Sequence, residues 1–114
     1  MLTIDALQAF GANVTDGMTR CLGREDFYLR LVRMIPSDRN FERLADAIGT
    51  NDLAAAFEAA HALKGVLANL SLTPILTPTA EMTELLRART ETDYAPLLDE
   101  VLRRRDELRA LCAD

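Results

Sequence analysis

Tryptophan is absent from the 114 residues, tyrosine occurs twice, phenylalanine four times and histidine once. Strands draw on aromatic and β-branched side chains, so a composition this poor in aromatics argues against a sheet protein. Cysteine is as scarce. Cys21 and Cys112 stand near opposite ends, with no Cys-x-x-Cys spacing and one histidine to help them hold a metal. Both are expected to be reduced, structural thiols, and no metal is expected. No apolar run approaches the roughly 18 to 20 residues of a membrane span, and Met1-Leu2-Thr3-Ile4-Asp5 lacks the basic start of a signal peptide. The expectation is a cytoplasmic protein with no membrane partner. Also missing are the Gly-x-x-x-x-Gly-Lys loop and the Gly-x-Gly-x-x-Gly turn, so the chain has no visible means of binding ATP.

What is abundant is small and aliphatic. Hydrophobic residues make up 49% of the chain and aromatics only 5%, which favours helices packing closely on small side chains. The net charge is −5 with both signs scattered, leaving no footprint for nucleic acid. Arg103-Arg104-Arg105 is the one basic run, and Asp99, Glu100, Asp106 and Glu107 flank it, as on a solvated helix face laced with ion pairs. A chain of this length makes one domain, 1–114, able to bury about two thirds of its unfolded surface. Its initial Met favours a whole protein over a piece of a larger one, and a monomer is expected.

Punctuation by caps and breakers divides the chain into helices. Thr3 caps a short helix on Ile4, Leu7 and Phe10 that Gly11 ends. Asn13 caps a second, through Val14 and Met18 to Leu22, closed by Gly23. Glu25 to Ile35 carries an amphipathic stripe of Phe27, Leu31 and Met34 with Tyr28, Val32 and Ile35, and Pro36 stops it. Phe41, Leu44, Ala45 and Ile48 form the next, ending at Gly49-Thr50-Asn51. Asn51 or Asp52 caps a long helix over about 52–70. Ser71-Leu72-Thr73 breaks the chain, with Thr73 and Pro74 as N-cap and first helical residue. Pro78 falls a turn later, so either that turn is distorted or the helix starts at Thr77-Pro78. Met82, Leu85 and Leu86 carry it to about Arg89. Thr92 or Asp93 caps the last helix, on Leu97, Leu98, Val101, Leu102, Leu108 and Leu111. The pattern predicts an all-α protein: an up-down four-helix bundle with one or two short N-terminal helices.

The long helix holds the only histidine. At about 100° per residue, Leu53, Ala56, Phe57, Ala60, Leu63, Leu67 and Leu70 gather on one side, and Ala55, Ala59, Ala62 and Val66 extend the apolar surface round the back. Such a helix is expected at the centre, buried by several neighbours, with its one polar strip, Glu58, His61, Lys64, Gly65 and Asn69, meeting water. Lys64 stands beside the imidazole on the same face. Gly65 and Ala68 leave the space above it open, and a helix-interior glycine costs about 1 kcal/mol relative to alanine. A partner or bulky group approaching the ring is a reason to keep it.

Three readings fit the strip. His61 can be a structural histidine. Glu58-x-x-His61 matches one element of a carboxylate-bridged di-iron bundle, but such a site needs two elements and inward glutamates, whereas Glu58 and His61 point away from the apolar face. The third is nucleophilic chemistry on phosphorus. Neutral imidazole is a good nucleophile near pH 7, and taking a phosphoryl group through a loose transition state demands positioning and charge neutralisation. Lys64 supplies part of that charge. Without an ATP motif, the phosphoryl group has to come from one protein and go to another.

At these residues the chain resembles the histidine-containing phosphotransfer (HPt) domains of bacterial multistep phosphorelays. Ala60-His61-Ala62-Leu63-Lys64-Gly65, followed by Ala68-Asn69-Leu70, is similar to the signature around the phosphorylated histidine. Leu22-Gly23 with Phe27-Tyr28-Leu31 resembles the preceding helix, Asn51-Asp52 the polar turn, and Glu81 and Leu85 the following helix. Ser71, in place of the glycine usual after Asn-Leu, and Pro78 depart from the pattern. The resemblance implies that His61 accepts the phosphoryl group, with Lys64 and Gly65 as accessory positions. It also implies an exchange with a response-regulator receiver domain or a hybrid histidine kinase, the receiver bringing Mg²⁺ and the phospho-accepting aspartate. No cofactor is expected on the chain itself. Ala54, Phe57, Glu58, Lys64, Gly65 and Ala68 lie round His61 on adjoining turns and are the expected docking surface, small and apolar round a polar centre. A non-catalytic helical adaptor that binds signalling proteins without being phosphorylated is the alternative.

Overall fold

Capping decides where the helices of the computed structural model, which describes residues 1–113, begin. Thr3 accepts from the Ala6 N–H at 3.0 Å and starts α1 (Ile4–Phe10), which Gly11 ends with φ +112°. Asn13 accepts from the Asp16 N–H at 3.2 Å and starts α2 (Val14–Arg20). That helix ends two residues before the expected Leu22, which takes φ +60° and lies out in water. α3 (Glu25–Met34) runs into a 3₁₀ turn, Ile35–Ser37, that contains Pro36. Asp52 caps the longest inner helix through the Ala55 N–H at 3.1 Å.

Four helices make the bundle: α4 (Asn40–Gly49), α5 (Leu53–Asn69), α6 (Thr73–Arg87) and α7 (Ala95–Cys112). Each packs mainly on its neighbour in sequence, α5 lying between α4 and α6. Short turns at 50–52 and 70–72 force the up-down order. Two short helices, α1 and α2, and then α3 precede the bundle. Leu63 and Leu67 of α5 are fully buried with Phe41, Leu44, Met82 and Leu86, each such side chain contributing about 2 kcal/mol of transfer free energy. The Arg103–Arg105 run is spent on carboxylates of α7 and on an aromatic ring of α4. Arg103 pairs with Glu100 and Glu107 at 2.6 and 2.9 Å, Arg104 with the same two carboxylates, and Arg105 lies over the Phe41 ring at 5.4 Å.

Two expectations at helix starts need correction. Thr73 is not the cap of α6. Leu72 holds that position, fully buried, and its carbonyl accepts from Ile75 and Leu76, so burial of one leucine starts the helix a residue early. The Thr73 hydroxyl instead donates to the Ser71 carbonyl. The helix runs on through Pro78, which is buried and forgoes the bond to the Pro74 carbonyl. At α7, Tyr94 occupies the cap, and Asp93, one residue earlier, accepts from the Ala95 N–H at 3.0 Å.

α2 and α3 hold the α5–α6 turn. The Tyr28 hydroxyl donates to the Leu70 carbonyl at 2.9 Å, the Asn13 N–H to the Ser71 carbonyl at 3.0 Å, and the Ser71 hydroxyl to the Asp16 carboxylate. Ser71 takes φ +54°, a conformation glycine adopts freely; the hydrogen bonds of its carbonyl and hydroxyl offset that cost. Gly17 is what lets α2 approach. A Cβ there would meet Tyr28 Cε1 at 2.5 Å and the Leu70 carbonyl oxygen at 2.7 Å. Alanine would gain about 1 kcal/mol of helix propensity, but overpacking against a backbone oxygen outweighs it. Gly17→Ala is therefore expected to destabilise the fold by about 1 to 3 kcal/mol, read as a lower urea midpoint. Gly49→Ala, whose Cβ meets nothing within 4 Å, should not.

Burial pushes the Tyr28 phenol up to about 12, with smaller contributions from Cys21 and Asp16. The folded state thus favours the neutral phenol over an unfolded value of about 10. That stabilisation is complete below about pH 10 and is lost as pH rises toward 12. Tyr28→Phe is expected to cost about 1 to 2 kcal/mol at neutral pH, by leaving the Leu70 carbonyl unpaired, and to lose this alkaline limb. A stability profile between pH 8 and 12 that is the same in both proteins would contradict the assignment.

Candidate functional site

α5 shows its neighbours a narrower face than the expected one. Ala56, Ala59, Ala60, Leu63 and Leu67 are buried, but Ala55, Ala62 and Val66 face water. Because α4 and α6 cover only part of its circumference, the helix is half solvent-facing. The exposed arc therefore runs from Lys64 through His61, Ala54, Gly65, Glu58 and Asn69 to Ala62 and Val66.

His61 lies toward the Lys64 end of that arc and is exposed. Among the described residues, no side chain or backbone group hydrogen-bonds to either ring nitrogen. Its orientation comes from Phe57, one turn earlier, whose ring stacks on the imidazole with centroids 5.5 Å apart and planes 15° from parallel. An aromatic pair of this kind contributes about 0.5 to 1.5 kcal/mol. Phe57 is in turn approached by the Arg87 guanidinium of α6, 5.0 Å from its ring centre. Phe57 is thus half-buried between two site residues and less open for docking than the sequence suggests. Of the other expected docking positions, Ala54, Glu58 and Gly65 are exposed and Lys64 and Ala68 half-buried.

Lys64 does not point freely at the imidazole. Its Nζ pairs with Glu84 of α6 at 3.4 Å, and Arg87 pairs with the other oxygen of that carboxylate at 3.3 Å. The hydrogen bond from Lys64 first, and then the charge of Arg87, hold the Glu84 carboxyl below the usual glutamate range. Glu84 and Arg87 are site residues that the sequence reading did not find. Their signal is faint, an acid and a base three apart on a helix where such pairs are common. Glu81 and Leu85, the positions the resemblance picks on α6, are exposed and half-buried and take no part in these contacts.

Gly65 is open in the sense expected: a Cβ there meets nothing within 4 Å. On its far side from Lys64, the C-terminal end of α3 and the 3₁₀ turn face α5 across a groove of about 910 Å³, lined by Leu31, Met34, Gly65, Val66 and Asn69 among others. Met34 and Val66, 64% and 39% exposed, give it an apolar wall that single surface residues would not provide. Among the described residues no three His, Cys, Asp or Glu side chains gather closely enough to hold a metal ion, and no helix is long and apolar enough to cross a membrane.

The site thus holds an accessible imidazole stacked on the Phe57 ring, open space over a glycine and, bridging α5 and α6, two cations tied to one carboxylate. Comparison with known families finds a match to the Hpt domain over residues 36–114. That span contains the whole of α4 to α7 and every residue of the site on α5 and α6. Leu22-Gly23 and Phe27-Tyr28-Leu31 lie outside it. No curated protein and no solved structure matches the chain.

Proposed function

The chain belongs to the Hpt domain family, whose role is histidine phosphotransfer in phosphorelays, and on that premise we propose that His61 is its phospho-accepting residue, relaying phosphoryl groups between aspartates of response-regulator receivers. The observation that carries this is the exposed imidazole with open space over Gly65. In the forward step a ring nitrogen lone pair attacks phosphorus of the receiver's acyl phosphate. The N–P bond forms as the P–O bond breaks, and the electron pair leaves with the aspartate carboxylate. Return to a second receiver reverses these bonds. The receiver brings the Mg²⁺ and the aspartate; this chain brings a positioned nucleophile and two cations, Lys64 and Arg87.

The apolar groove beside Gly65 supports docking of the receiver on this face. Ala54, Gly65 and Ala68 admit a partner surface close to the ring, and small and apolar residues round a polar centre suit a transient complex. The partners are a receiver domain or a hybrid histidine kinase, met by a monomer in the cytoplasm of a bacterium. Incubation with a phosphorylated receiver tests the proposal: phosphate should pass to the protein in acid-labile, alkali-stable form. Binding without any transfer of label would leave a helical adaptor in its place.

A further inference from the structure

Lys64, one turn from His61 on α5, and Arg87, which lies over the Phe57 ring stacked on the imidazole, share the carboxylate of Glu84. We propose that Glu84 is a positioning residue that competes with the phosphoryl group of phospho-His61 for Lys64 and Arg87, and so sets how readily His61 gives that group up. The inference rests on His61 being the phospho-acceptor.

In the free protein Glu84 ties Lys64, one turn along α5 from His61, to Arg87, which lies over the Phe57 ring that stacks on the imidazole, so their charge is in place before any phosphoryl group arrives. A phosphoryl group carries close to two negative charges and three acceptor oxygens, against one charge and two oxygens for a carboxylate. As the N–P bond forms, Lys64 therefore exchanges the weaker anion for the stronger one. Glu84 is then left as a like charge close to the phosphoryl oxygens, while Arg87 is divided between it and the Phe57 ring. Both effects raise the energy of the phosphorylated form relative to the free one. A carrier needs this, because a phosphoryl group held too tightly is not passed on. The side chains of Lys64, Glu84 and Arg87 are 36%, 58% and 51% exposed, so solvent screens the competition, and it tunes the transfer rather than deciding it.

The measurement uses phosphoramidate, which donates to imidazole without a protein partner: the N–P bond to His61 forms as the bond to ammonia breaks, and ammonia leaves with the proton. At fixed ammonia concentration, phosphorus NMR gives the equilibrium between free and phosphorylated protein. Glu84→Gln, which keeps the shape and removes the charge, is expected to shift this equilibrium toward phospho-His61 by about two- to fivefold at low salt. The shift should shrink toward unity in 1 M salt, where the Debye length is about 3 Å. It should also be largely lost in a Lys64→Met background, because the carboxylate acts through that cation. Glu84→Asp, with a shorter carboxylate, should fall between wild type and Glu84→Gln. A merely structural role would move the melting temperature and leave the salt dependence alone. An unchanged equilibrium in Glu84→Gln, or a shift of the same size at 1 M salt or without Lys64, overturns the proposal while leaving His61 as acceptor. Conversely, wild type that takes phosphoryl from phosphoramidate but never from a receiver sinks the relay reading and leaves the effect of Glu84 on the N–P bond standing.

Discussion

His61→Gln is expected to take up no phosphate above background from a phosphorylated receiver, under conditions where the wild type becomes labelled. The chain has one imidazole, and phosphate on a ring nitrogen is released by acid and survives alkali, whereas an acyl phosphate on a carboxylate does not survive alkali. The chemistry of the label therefore separates phosphate on nitrogen from phosphate on a carboxylate, and its loss in His61→Gln, which keeps Lys64, assigns it to the single histidine. Glutamine is close in size, suits a helix interior and stands at an exposed position, so the fold should remain. The stacking of the imidazole on Phe57 is lost, at a cost of about 0.5 to 1.5 kcal/mol, small enough for a melting curve to verify a folded control. Equal acid-labile labelling of the two proteins would refute His61 as the acceptor.

Gly65→Leu should separate stability from function. A Cβ at this position meets nothing within 4 Å, so no contact inside the protein demands the glycine, and a leucine recovers most of the roughly 1 kcal/mol that a helix-interior glycine costs. The melting temperature is expected to stay level or rise. Transfer from a receiver is expected to slow by roughly a hundredfold, because the leucine occupies the approach to the ring and displacing the reacting atoms by about 1 Å is enough for a loss of that order. Gly65→Ala should lie between, as a methyl group fills less of the gap. Stopped-flow transfer measured beside thermal unfolding gives both readouts. A Gly65→Leu protein that transfers at the wild-type rate would remove the reason offered here for the glycine; one that unfolds would show that packing requires it.

These two positions also mark how far one sequence could be read. His61 and Gly65 were legible because a helical wheel needs only residue order: the period of 3.6 puts Ala54, Glu58, His61, Gly65 and Ala68 on one side of any helix there. Thr3, Asn13 and Asp52 were legible as caps for a similar reason, since a side chain that satisfies an N–H two or three residues ahead acts within its own segment. Thr73 misled because a competing long-range term, the burial of Leu72, settled where α6 begins. Val66, Ala62 and Ala55 misled in the opposite direction. Apolarity alone does not say whether a neighbour exists to cover a face, and for these three no helix does.

Residue order by itself determined the helical class, the segments, the caps at Thr3, Asn13 and Asp52 and the face on which the lone histidine sits, because each depends on interactions within about one turn of chain. Packing alone decided the rest. Glu84 and Arg87 reach Lys64 and Phe57 only because α6 lies against α5, and Gly17 is constrained only because Tyr28 and the Leu70 carbonyl close over it. The groove beside Gly65 exists only where the end of α3 faces α5. Contacts between side chains on different helices depend on how whole helices settle against one another, and the local pattern around each partner carries no record of that.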